Sequence, residues 1–350
     1  MPVRSLINSA TISVGAWLLV GGAALVHGQA SPQGASTREY RFLMGTSIEV
    51  EAYGGDDEAR RAGINEAFGA MAEVDRLMSN YRDDSELSLI NRTAANGPVH
   101  VSAPMLSVLA AAQKVSGQSR GAFDVTVGPI VRLWGFHDKK PHLPTAAELA
   151  AVRPVIDYRN LLIDSERETV RFAKPGVEID LGGIAKGFAV EIAANALRRR
   201  GLGGFIDAGG NQYLLGLPPG KRVWTVGIKD PDRPDRLLGV VDTAETSVST
   251  SADYATFVEI GGRRYGHVLD PHTLQPSTAA LSVTIFSPDG TLADAMSKAA
   301  FILGPHEGLT ILDRFPGMTG LIAYRTTDGS IGVVMSPQLK GAFHRSPPQP

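Results

Sequence analysis

The chain has 350 residues, 43% hydrophobic and 20% charged, which excludes wholesale disorder and allows two domains or one large one. Lys+Arg 34 against Asp+Glu 36 leaves a net charge of -2 with no basic run, which excludes a dedicated nucleic-acid reader. The absence of cysteine excludes disulfides, thiolate metal sites, a thiol nucleophile and a lipidated N-terminal cysteine, leaving carboxylates, His, Lys, hydroxyls, backbone or a hard cation for any chemistry.

Arg4 is the only Lys, Arg, Asp or Glu before Arg38. The apolar run Ile12 to Val26 is shorter than the ~20 residues that span a bilayer, and Gly28 and Ala30 follow it with small-x-small spacing. This pattern predicts a secretory signal peptide over 1–30, cleaved after Ala30, and an exported, periplasmic protein. An uncleaved signal would instead tether the protein at a membrane surface. A polar linker covers 31–38. Residues 40–53 read as two strands around Gly45, with Ile48 and Val50 alternating against Glu49 and Glu51. Ile64, Ala67, Phe68, Met71 and Val74 give helical spacing over 57–78. Further helices are predicted from Ser102, with Pro104 in the first turn, and from Thr145, with Glu148 completing a capping box. A strand at 177–181, a helix from Ile184 to Arg198 and mainly strands over 204–287 follow. A helix capped by Thr291 runs to Gly304, a short helix comes next, and two strands lie within 319–335. The tail 341–350 reads as disordered. Helices early and late with antiparallel strands between make the class α+β.

Several segments suit chemistry. Asp180-Leu-Gly-Gly-Ile-Ala-Lys-Gly187 passes from an acid through two glycines into a helix, whose free N–H groups and Lys186 suit a phosphate. Its spacing fits neither a Walker loop nor a dinucleotide fingerprint, and alone it also fits an ordinary strand–helix corner. Asp207-Ala-Gly-Gly-Asn211 is a second acid–glycine turn. His267, two residues past Tyr265 and ahead of Asp270-Pro271, is suited to accept a proton. Asp294 suits a hard cation, and it also fits a plain helix-capping role. Tyr81, in the polar segment Met78 to Glu86, can stack on a planar ring. The absence of Gly-x-Ser-x-Gly and His-Glu-x-x-His argues against serine hydrolases and zincin proteases.

Taken in order, these segments resemble the ApbE family, the FAD:protein FMN transferases. The resemblance runs from about Arg38 to Met335. It rests on Met44-Gly-Thr46, Met78 to Glu86, Gly121 to Gly128 with Leu133-Trp-Gly135, Asp180 to Gly187, Ala208-Gly-Gly-Asn211, Val226 to Pro231, Ser249-Thr-Ser251 with Asp253-Tyr254, His267 to Pro271, and Ala293-Asp-Ala295. It implies one domain over 39–340 with a two-lobed α+β fold, mainly antiparallel sheets flanked by helices. It implies a transferase that moves FMN from FAD, with Mg²⁺, onto a Ser or Thr of a protein in a membrane electron-transfer complex, releasing AMP. Met44 and Tyr81 would flank the FAD rings, with Ala122, Phe123, Asp124, Asp180, Lys186 and Val268 also contacting FAD. The Gly183 carbonyl, Asp294 and a hydroxyl, Ser297, would hold the metal. His267 is the expected base, oriented by Asp270, with Lys186 neutralising phosphate charge.

Lys298 stands where the family usually has Thr, four residues after the metal aspartate. Three arrangements follow: Ser297 supplies the hydroxyl, Lys298 points away, or Lys298 replaces part of the metal's charge. Gly183 stands where Ala or Thr is common, and Leu274 and Ala252 replace usual glycines. The alternatives to transfer are FAD storage and FAD hydrolysis to FMN and AMP. Thr256 and Thr273, each three residues after an Asp, are followed by bulky Phe257 and Leu274, so the acceptor is expected on another protein.

Overall fold

The computed structural model describes residues 35–137, 140–253 and 257–346. The expected signal peptide, the first half of the linker, Tyr254, Thr256 and the last four residues lie outside the described residues. The chain opens with the hairpin β1 (Ser36–Leu43) and β2 (Thr46–Tyr53), then α1 (Asp57–Met78) and α2 (Glu86–Thr93). Next come β3 (Val99–His100), α3 (Ala103–Gln118), α4 (Gly128–Leu133), α5 (Ala146–Val152), β4 (Leu161–Asp164) and β5 (Thr169–Phe172). α6 (Ala185–Arg199) leads into β6 (Gly203–Ala208), β7 (Asn211–Leu215), β8 (Trp224–Lys229), β9 (Leu237–Thr243) and β10 (Thr246–Ala252). Then follow β11 (Phe257–Ile260), β12 (Arg263–Gly266), β13 (Leu269–Asp270), β14 (Gln275–Pro276) and β15 (Ser282–Ser287). α7 (Gly290–Thr310), β16 (Thr319–Arg325), β17 (Ile331–Met335) and β18 (Phe343–Arg345) close the chain.

The centre is an eight-stranded sheet, ordered β1-β2-β6-β7-β10-β15-β16-β17, and its pairings are antiparallel. The two-residue period of a strand divides its side chains between two apolar layers. Ile206, Tyr213, Ile285 and Ile322 face the main core with α1, α6 and α7. Their neighbours Phe205, Leu214, Phe286 and Leu321 face a second core under the sheet β18-β9-β8, with Trp224, Val226 and Val241. Both faces being covered, β7 and β15 are buried along their whole length. A smaller lobe gathers Ile130, Trp134, Ile156, Leu269 and Leu274. There Leu274 adopts a left-handed backbone (φ 61), which a leucine resists by about 1 kcal/mol. Full burial of its side chain and a hydrogen bond from the Trp134 indole to its carbonyl (3.0 Å) offset that cost. This is how the chain manages without glycine in that turn.

The α+β class holds, and five local expectations change. Residues 177–181 are extended but pair with no strand; the Asn91 amide grips the Ile179 backbone on both sides (2.8 and 2.9 Å) in place of a neighbouring strand. The Met78–Glu86 loop leads directly into an unpredicted helix, α2, which Ser85 caps. α7 is capped by Asp289 rather than Thr291, because Glu191 of α6 takes the Gly290 and Thr291 N–H groups and the Thr291 hydroxyl. Phe343–Arg345, expected in a disordered tail, pair with β9, and Ser36–Arg38, expected as linker, belong to β1.

Candidate functional site

A cavity of about 340 Å³ opens between the main body and the smaller lobe. Its floor is the Asp180–Lys186 turn. The Asp180 N–H bonds the Val125 carbonyl (2.7 Å), and the Asp180 carboxylate accepts from the Gly182 N–H and the Asn80 amide (both 2.7 Å). The acid therefore shapes the turn that presents the α6 N-terminus. Lys186, in the first turn of α6, reaches the Gly182 carbonyl (3.4 Å) and lines the cavity. Gly183 lies against the Phe123 ring, where an added Cβ would come within 3.2 Å. Ala122, Phe123 and Asp124 form one wall, and His267 and Val268 another. Asn211 and Ser251 complete it from the sheet, so the second acid–glycine turn does reach the same cavity. Tyr81 stands at the rim, 72% exposed, stacked on His137 at 4.9 Å.

Beneath the floor α6 and α7 touch. Asp294 is fully buried, and one carboxylate oxygen accepts the Gly187 N–H (2.8 Å) while the other pairs with the Lys298 ammonium. Burial pushes Lys298 below the usual lysine range, with nearby Lys186 adding to that and Asp294 opposing it. Ser297 is also fully buried; its hydroxyl donates to the Asp294 carbonyl and lies 2.8 Å from the Ser251 hydroxyl, behind the cavity wall. This donor set does not fit a hard dication at Asp294. An ammonium holds one oxygen and an N–H the other, and the Ser297 hydroxyl is engaged by the Asp294 carbonyl and the Ser251 hydroxyl.

Most of the residues singled out in the sequence meet here: Tyr81, Ala122, Phe123, Asp124, Asp180, Gly183, Lys186, His267 and Val268. Four do not join the cavity lining as expected, Asp294 among them because it is fully buried beneath the floor. Met44 sits in the β1–β2 turn, packed against the main core. Asp270, expected to orient His267, spends its carboxylate in its own turn on His272 and Thr273 (2.8 and 3.0 Å), as an Asp before Pro in a tight turn does. Ser297 is turned inward. β12 ends at Gly266, so His267 is not on the strand that carries Tyr265. Sequence reasoning missed Asn80, His137 and Phe136; only the proximity of Asn80 to Tyr81 in a polar segment hinted at one of them.

The family model for the ApbE family matches residues 44–322. The chain is 32% identical over 322 residues to the FAD:protein FMN transferase of Treponema pallidum, covering 86% of this chain and 89% of that protein. It is 31% identical over 337 residues to the enzyme of the same name from Klebsiella pneumoniae, covering 93% and 95%. Among solved structures it is similar to the ApbE protein of Thermotoga maritima (TM-score 0.80, 31% identity, 88% of this chain and 99% of that one). It is also similar to the flavin transferase ApbE of Vibrio cholerae (TM-score 0.79, 29% identity, 88% and 99%). The match in sequence and fold spans both lobes that enclose the cavity, and the chain therefore belongs to the ApbE family and is a transferase.

Proposed function

We propose that this protein transfers the FMN half of FAD to a Ser or Thr hydroxyl of a partner protein and releases AMP. One observation carries this reading: the α6 N-terminus, Lys186 and His267 face a single cavity that has an exposed aromatic ring at its rim. The hydroxyl oxygen bonds to the FMN-side phosphorus, the bond from that phosphorus to the bridging oxygen breaks, and AMP departs with the electron pair. His267 accepts the hydroxyl proton. The Lys186 ammonium and the positive end of the α6 dipole neutralise charge on the non-bridging oxygens as it grows, since the Ile184 and Ala185 N–H groups are held by the Leu181 carbonyl and that of Gly187 by Asp294. The exposed face of Tyr81 offers a platform for the flavin or adenine ring.

The family suggests an acceptor in a membrane electron-transfer complex, and the N-terminal pattern of Arg4, apolar run and Gly28-x-Ala30 supports a periplasmic site of action. The test is incubation with FAD and an acceptor domain carrying Asp-x-x-Ser/Thr. The expected outcome is a fluorescent acceptor band on a denaturing gel and one AMP per flavin attached. AMP and free FMN without a band would mean hydrolysis. Intact FAD bound to the protein would mean storage, and either result overturns transfer.

A further inference from the structure

Asp294 and Lys298 sit one helical turn apart on α7, and the cavity floor lies directly above them. The Lys298 stem passes Gly183, with its Cγ and Cδ 3.9 Å from where a Cβ would project. Its side chain is 16% exposed, and it lines the cavity beside Lys186, Gly182 and Gly183. The stem therefore runs along the Gly183 turn at the cavity floor, and the ammonium ends on the buried carboxylate. A dication there would meet an ammonium at contact distance, a repulsion of several kcal/mol in a poorly screened site. An ammonium has three donors and needs only one for Asp294.

We infer that the Lys298 ammonium takes the place of a divalent cation at Asp294, so that this chain holds the diphosphate of its nucleotide without a metal ion at that position. The inference rests on the proposed function only for the identity of the nucleotide. One N–H of Lys298 satisfies the otherwise uncompensated buried carboxylate, and the others are available to non-bridging phosphate oxygens. The Asp294–Lys298 pair is neutral, whereas a dication on the same carboxylate would leave one positive charge. Lys186 and the α6 N-terminus then carry the net attraction for the anion.

The experiment has two arms on the purified full chain, after EDTA treatment and dialysis. The first titrates Mn²⁺ alone, read by its electron paramagnetic resonance signal. Wild type is expected to leave Mn²⁺ free, Lys298→Thr to bind about one equivalent, and the double variant Lys298→Thr/Asp294→Asn to lose that binding. The second measures FAD affinity by flavin fluorescence, with EDTA or with Mg²⁺. Wild type and Lys298→Arg are expected to differ less than about twofold between conditions, and Lys298→Thr to bind at least about tenfold more weakly in EDTA and recover in Mg²⁺. Tight Mn²⁺ binding by wild type that Asp294→Asn abolishes, or a wild-type FAD affinity that collapses in EDTA, overturns the inference. If Lys298→Thr fails to fold, as circular dichroism would show, the wild-type measurements still decide. Failure of every form to bind FAD would sink the flavin reading, while the Mn²⁺ arm would still judge the lysine.

Discussion

Asp124 shows how one residue can be both a structural cap and part of a cavity wall. It is 6% exposed, and its carboxylate accepts from the Thr126 N–H and hydroxyl (both 2.7 Å). The Thr126 oxygen in turn accepts the Asp157 N–H (2.9 Å), tying the cavity wall to the 157–160 turn. Burial pushes the Asp124 carboxyl up to about 6, with the hydrogen bonds from Thr126 and the Tyr158 N–H pulling back. Its folded pKa thus lies above the unfolded value of about 3.9. The stability it contributes is full below about pH 4 and is lost as pH rises through about 6. Asn keeps the oxygen that Thr126 needs but turns an N–H₂ toward Tyr158, which gives back part of the gain. Asp124→Asn is expected to stabilise the protein by about 1 kcal/mol at pH 8 and not at pH 4. Urea unfolding at the two pH values checks this, and an equal change at both would refute it. The sequence revealed Asp124 as polar and close to glycines. It could not reveal the burial, because Tyr158 and Asp157 arrive from more than thirty positions away.

At the scale of elements, the α6–α7 crossing sets the site. A Cβ on Gly187 would lie 2.1 Å from the Gly290 carbonyl and 2.5 Å from the Asp294 Cβ, and one on Gly290 would meet the Gly187 carbonyl at 2.8 Å. The two helices therefore approach backbone to backbone, which places the Gly187 N–H on Asp294. Gly187→Ala is expected to force the helices apart, costing about 1–3 kcal/mol or more and releasing the bond that fixes Asp294. Thermal unfolding checks this, and a midpoint equal to wild type would disprove the close approach. The α6 start was readable from Asp180 to Gly187 because a turn and a helix N-terminus are local. The cap of α7 was not, because Glu191 comes from a helix a hundred positions away and displaces Thr291 from the capping role.

At the scale of the molecule, one sheet with two covered faces holds the helices that carry the site. The β18-β9-β8 sheet covers the far face, and Phe343 packs so closely on Gly239 that a Cβ there would meet its ring at 2.6 Å. A chain ending at Ala342 would leave β9 as an open edge over the buried Val241. It is expected to lose about 2–3 kcal/mol, from one aromatic side chain and its strand hydrogen bonds. Urea midpoints of the two lengths measure this, and unchanged stability would show that the strand is dispensable. Periodicity and turn chemistry, which act between near neighbours, were enough to reveal the longer helices, most strands and the α+β class. Motif order was enough to reveal the family. Packing alone joined Asp180, Lys186, His267 and Tyr81 in one cavity, turned Ser297 inward, and occupied Asp270 within its own turn. It also set Lys298 against Asp294, since helical spacing permits that pair to meet and only the burial of the α6–α7 crossing compels it.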